Sequence, residues 1–167
     1  EIARKLPEGM VSITTNEKLI TTIRCGTSRS TLTGMPIVEF PQTQDIINTH
    51  ALHVPQKRLK DMINRVVFAI AAQESRQTLT GCLMEVTKTE LRLVGLDGFR
   101  LALQRMHGDF VLPTGETTVK AIIPGHVMGE MSRIMVDDPN AMITFHMDGA
   151  HLMAIIGDTT LTTSLLA

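Results

Sequence analysis

Apolar residues after His53 recur at helical spacing. Leu59, Met62, Ile63, Val66 and Ile70 fall on one face, and the pattern predicts a helix from about Gln56 to Ala72. A second helix is predicted from Gly125 to about Met135, and the two are copies: Pro55, Leu59 and Met62 match Pro124, Met128 and Met131. Each copy opens with a β-branched run ending in proline, a residue tolerated in a first helical turn because its missing N–H has no partner there. Phe68 breaks the pattern by projecting into the polar face, so the helix is expected either to bend or stop near it, or to place it beneath the following loop.

Strand-like runs follow each helix. They are predicted at Leu79–Val86, Glu90–Leu96 and Phe99–Met106, then at Val119–Ile123 ahead of the second helix, then at Ala141–Met147, His151–Gly157 and Thr160–Leu166. Asp97-Gly98 and Asp148-Gly149 read as two-residue hairpin turns. The unit is β-α-β-β-β, used twice, and the class is α+β with antiparallel sheets covered on one side by helices. Before it come strands expected at Met10–Thr15, Leu19–Cys25 and Ser28–Thr33, preceded by the last helical turn of residues 1–5. The stretch 34–50, with few periodic apolar residues, reads as a linker. Ile23–Thr33 resembles Ile155–Ser164, so residues 1–33 read as the tail of an earlier copy. Both ends look cut, and the expectation is a fragment of a longer protein.

Composition narrows the classes. A chain of 167 residues, 43% hydrophobic and with a formal net charge of −1, suits a soluble globular protein and excludes a generally basic nucleic-acid binder. No apolar run is long enough to span a bilayer and no secretory leader opens the chain. Cys25 and Cys82 stand alone, which favours reduced thiols in a cytosol. Trp and Tyr are absent, so base stacking on those rings is unavailable. For catalysis there is no GxSxG, P-loop, HExxH or CxxC, and Asp97 is explained by its turn. His146 and His151 flank a hairpin without metal-ligand spacing. The expectation is no enzyme, no cofactor and no metal.

The first helix carries Lys57, Arg58, Lys60 and Arg65 against Asp61 on its polar side. Two readings stand: a solvated face, or a face toward nucleic-acid phosphates, with weak, sequence-blind and salt-sensitive contacts.

The order LKDMINRVVFAIAAQESRQTLTGCLME, LRLVGLDGFRLAL and AIIPGHVMGEMSRIM resembles the middle domain of the bacterial DNA polymerase III beta subunit family, the sliding clamps. The most specific signals are Arg76-x-x-Leu79-x-Gly81, Asp97-Gly98-x-Arg100-Leu101-Ala102 and Ile123-Pro124, in family order. Residues 44–167 resemble a nearly complete domain II. Residues 1–43 resemble the end of domain I with its linker, and domain III is expected to be absent.

The resemblance implies a cytoplasmic bacterial replication protein. Its full-length form is a homodimeric ring around double-stranded DNA, helices inward. The fragment itself is expected to be monomeric. It also implies a hydrophobic pocket for short peptides of the polymerase III catalytic subunit, the clamp loader and repair proteins, at Leu79, Leu96, Gly98, Phe99, Arg100 and Leu101. Where the family commonly has Thr and His, this chain has Leu96 and Phe99, which makes the site greasier and either shifts peptide preference or partly occludes it. DNA-facing residues are expected at Lys57, Lys60, Asn64, Arg65, Gln73 and Arg76, with Arg76 alternatively bracing its own loop. Gln77 and Thr78 stand where some members place aromatic residues against DNA. The alternative reading is a peptide-binding scaffold domain of the same fold with no DNA role.

Overall fold

The structure, a computed structural model, describes residues 2–40, 46, 51–73 and 76–167. It divides into two compact units, Glu1–Gln44 and Asp45–Ala167. Most of the predicted linker (41–45 and 47–50) lies outside the described residues. The first unit is a 3-10 turn at Ile2–Lys5 and an antiparallel sheet of β1 (Val11–Thr15), β2 (Ile20–Cys25) and β3 (Ser28–Thr33). Its β1–β2 turn is fixed by Asn16, whose Oδ1 accepts from the backbone N–H of Lys18 and Ile20.

The second unit runs β4 (Leu52–Pro55), α1 (Gln56–Asn64), β5 (Gly81–Thr87), β6 (Glu90–Leu96), β7 (Leu101–His107), β8 (Thr118–Pro124), α2 (Gly125–Ile134), β9 (Met142–Met147), β10 (His151–Ile156) and β11 (Thr159–Ser164). It is α+β, and the β-α-β-β-β duplication is present, but neither copy closes on itself. The sheets are ordered β7-β6-β5-β8 and β11-β10-β9-β4. Each copy therefore gives its first strand to the other copy's hairpins: Leu52 pairs with Phe145, and Val86 with Val119. The sheets' alternating inner residues and the apolar helix stripes make one core, in which Leu59, Ile63, Met84, Leu93, Met128, Met131 and Phe145 are fully buried.

Three sequence expectations change. The first helix stops at Asn64, not Ala72. Val66 leaves the helical region, and Val67–Ala69 form a 3-10 turn. The β-branched pair Val66-Val67 disfavours continued helix, and the apolar stripe persists because Val66 and Ile70 face Gly95 of β6. Both prolines sit at the N-cap position, extended, one residue before each helix. Finally, both hairpin loops have four residues: Leu96 pairs with Leu101 across one, Met147 with Leu152 across the other.

The outer face of the β7-β6-β5-β8 sheet carries a row of charges. Lys120 meets Glu85 at 3.0 Å, and Arg92 lies between Glu85 at 3.5 Å and Glu90 at 2.7 Å. Arg105 approaches Glu90 at 3.6 Å. Hydrogen bonding from Arg92 holds the Glu90 carboxyl below its ordinary range. Asp97 and Asp148 are lowered chiefly by backbone N–H donors in their loops. A folded-state pKa below the unfolded one stabilises above the ordinary carboxyl range of about 4, and that stability is lost as pH falls through the lowered values. Thermal melts taken from about pH 6 to about pH 3 should show the melting temperature falling, and falling less steeply in Glu90→Gln. Equal slopes would refute the assignment to Glu90.

Candidate functional site

The loop between β6 and β7 is built by Asp97. Its Oδ1 accepts from the N–H of Phe99 and of Arg100, both at 3.0 Å, and its Oδ2 accepts from Arg100 Nε at 2.8 Å. Gly98 takes φ +89°, a conformation that side chains with a Cβ rarely adopt. The second copy repeats the device: Asp148 Oδ1 accepts from the N–H of Ala150 and His151, and Gly149 has φ +90°. Asp97 is thus a turn-former. What differs between the loops is their cargo, Phe99 and Arg100 in one and Ala150 and His151 in the other.

Around the first loop the surface is apolar and open. Phe99 is 100% exposed and Leu101 60%, with Leu96 exposed beside them. Phe99 therefore stands clear of its neighbours within the described residues. Leu79 is half-buried at the end of a 3-10 turn, Gln77–Thr80, and its carbonyl accepts from the N–H of Ala71. That bond closes the segment joining α1 to β5. Phe68, on the same segment, is exposed, and the Arg100 guanidinium lies over its ring at 5.6 Å. The sequence flagged Phe68 as out of pattern without assigning it to the site. A cleft of about 480 Å³ opens beneath the segment, lined by Val67, Ile70, Thr80, Pro124, His126 and Leu166 among others, and by none of the six expected peptide-site residues. On its wall Gly125 occupies the position of Gln56 in the other copy, and the start of α2 approaches closely there: a Cβ would lie 2.9 Å from Ile70 and 3.0 Å from the Thr80 carbonyl.

The basic side of α1 is less free than its sequence suggests. Lys57 pairs with Asp137 at 3.3 Å, Lys60 Nζ donates to the Met135 carbonyl at 2.8 Å, and Asn64 Oδ1 accepts from Ser132 Oγ at 2.8 Å. Buried Gln56 completes the seam by donating to the Met142 carbonyl and accepting from Val136 N–H. These groups join α1 to the end of α2, where cations also complement the helix dipole. Lys57, Lys60 and Asn64, expected to face DNA, thus also tie α1 to the end of α2, while Lys57 and Asn64 stay exposed. Arg65, Gln73 and Arg76 are exposed, and the Arg65 guanidinium is paired with no described residue. On α2, Arg133 is taken by Glu130 at 2.6 Å, while His126 is exposed. Among the described residues no cluster of His, Cys, Asp or Glu could hold a metal ion, and no helix is long and apolar enough to cross a membrane.

Comparison with known proteins supplies the lineage. The family described as DNA polymerase III beta subunit, central domain, matches residues 53–167. The chain belongs to that family. The beta sliding clamp of Bacillus subtilis (strain 168) is 34% identical over 138 residues, covering 83% of this chain and 36% of the relative. That of Pseudomonas putida KT2440 is 30% identical over 167 residues, covering 99% of this chain and 44% of the relative. Among solved structures, the Bacillus subtilis sliding clamp superposes with a TM-score of 0.82 at 28% identity, covering 99% of this chain and 43% of that one. The DNA polymerase III subunit beta of Pseudomonas aeruginosa gives 0.84 at 27% identity, covering 99% and 45%. The chain thus spans less than half the length of these beta subunits.

Proposed function

We propose that this chain serves as the middle domain, with the end of the preceding one, of a DNA sliding clamp. In the whole protein two copies close into a ring around duplex DNA, hold the replicative polymerase on its template, and catalyse nothing. Partners attach by short peptides at the loop of Asp97–Arg100 and at Leu79. The observation that carries this reading is the family match across residues 53–167, the whole duplicated unit apart from its first described residues. The exposed apolar Phe99 and Leu101 beside the Asp97 loop support a partner surface there.

An NMR titration with a peptide from the C-terminal tail of a polymerase III catalytic subunit tests it. Shifts should concentrate at Leu79, Leu96 and Gly98–Leu101. Shifts spread evenly over the surface, or none at about millimolar peptide, would reject the site and favour a different docking surface on the same fold.

For DNA, we propose that Arg65, Gln73 and Arg76 face the duplex, with Lys57 and Lys60 holding the helix seam behind them. Lys60→Glu should then lower stability by about 2 kcal/mol, because it removes a charge-assisted bond to the Met135 carbonyl. Arg65→Glu should leave the melt unchanged and weaken salt-dependent association with duplex DNA. The reverse pattern would return Lys60 to the DNA-facing set.

A further inference from the structure

The loop at Asp97 and its copy at Asp148 share their turn chemistry, so the difference between them isolates what the first was specialised to do. In the first copy the residue that closes the loop is Arg100, and the position facing it after the helix is Phe68. In the second copy the matching positions hold His151 and Asp137. His151 turns back to its own loop, with Nδ1 3.3 Å from Asp148 Oδ2. Arg100 is held from two sides instead: Asp97 Oδ2 accepts its Nε at 2.8 Å, and the Phe68 ring lies 5.6 Å from its Cζ. The bond to Asp97 uses Nε alone, and no described residue accepts from the two terminal nitrogens of the guanidinium. An arginine is a long, rotamer-rich side chain, and an aromatic face fixes the plane of its guanidinium.

We infer that Phe68 is a positioning residue of the partner site: with Asp97 it sets Arg100 as a fixed two-pronged donor for a main-chain carbonyl of the bound peptide. The inference rests on the peptide-site reading proposed above. The peptide's apolar side chain lies along Leu96 and Leu101, and its neighbouring carbonyl accepts from the Arg100 nitrogens. Because the Phe68 segment continues into the loop that carries Gln73, Arg76 and Leu79, the same short stretch builds part of the partner site and part of the proposed DNA side.

The test compares the full chain with Phe68→Leu, Phe68→Tyr and Arg100→Lys, using one polymerase-tail peptide with a free C-terminus and the same peptide amidated. Affinity is read by fluorescence anisotropy, and the Arg100 Nε–H resonance by NMR. Phe68→Leu keeps apolar volume but loses the ring face. It should weaken binding about two- to fivefold and remove the ring-current shift of Arg100. Phe68→Tyr should restore both, and amidation should change affinity little. Wild-type binding with equal affinity in Phe68→Leu overturns the role of Phe68. Loss on amidation overturns the carbonyl and points to a carboxylate. Equal loss in Phe68→Leu and Phe68→Tyr overturns the ring-face argument, since it leaves only packing. No hairpin shifts in the wild type would reject the peptide-site reading itself, a result separable from all the others.

Discussion

Gly95→Val should cost about 3 kcal/mol of unfolding free energy, the upper end of what overpacking does in a closed core. A Cβ on Gly95 would stand 2.8 Å from the Val66 carbonyl oxygen, 3.0 Å from its Cγ1 and 3.1 Å from Ile70 Cγ1. The nearest of these is backbone, fixed by the turn that ends α1, so a side-chain rotation gives no relief. Gly95 pairs with Ala102 within the β6–β7 hairpin. The added methyls must therefore push the Phe68 segment outward or the hairpin away. Chemical denaturation measures the loss. The displacement should also appear as weakened peptide binding in whatever fraction stays folded. A stability within about 1 kcal/mol of wild type would mean that the segment yields cheaply and that the close approach is not a constraint.

The second large effect concerns binding. Arg100→Ala and Leu101→Asp should each weaken a polymerase-tail peptide at least about tenfold, as loss of a central anchor does. Neither should lower the melting temperature much, because both side chains are mainly exposed. Arg100→Ala loses its fork over the Phe68 ring, but Asp97 keeps its two backbone donors and so the turn. Leu101→Asp buries an unpaired charge against the peptide's apolar side chain. Separation of binding from stability is the informative result. Parallel loss of both would mean the hairpin is a folding element, and unchanged binding would place the partner elsewhere, with the cleft under Gly125 the next surface to test.

Local chemistry was legible in the sequence and long-range pairing was not. The strands of both hairpins emerged within a few residues of their final ends because alternation and Asp-Gly punctuation are short-range signals. The extra two residues in each loop were missed because the aspartate side chain, not the backbone alone, closes the turn. The end of α1 was hidden because Val66 and Ile70 keep facing the core after the helix has ended. The exchange of β4 and β8 left no trace in periodicity, since a strand carries the same pattern whichever sheet receives it. In the site, Lys57 and Lys60 read as a free basic face because their partners, Asp137 and the Met135 carbonyl, are some seventy-five or more positions away. Phe68 was visible as an exception but had no assignable role until Arg100 was found over its ring.

The exchanged first strands also set a schedule for synthesis. β4 is the first strand of its unit to leave the ribosome, yet its sheet partner β9 comes some ninety residues later, at the Leu52–Phe145 pair. Contacts of such separation are slow to form, because the intervening chain must be closed before they reward it. The β5–β6–β7 meander can assemble early from neighbouring strands, but β4 waits with neither edge paired until β9 arrives. Its brevity, four residues ending in a proline that cannot donate to a ladder, makes it a poor template for stray pairing during that wait.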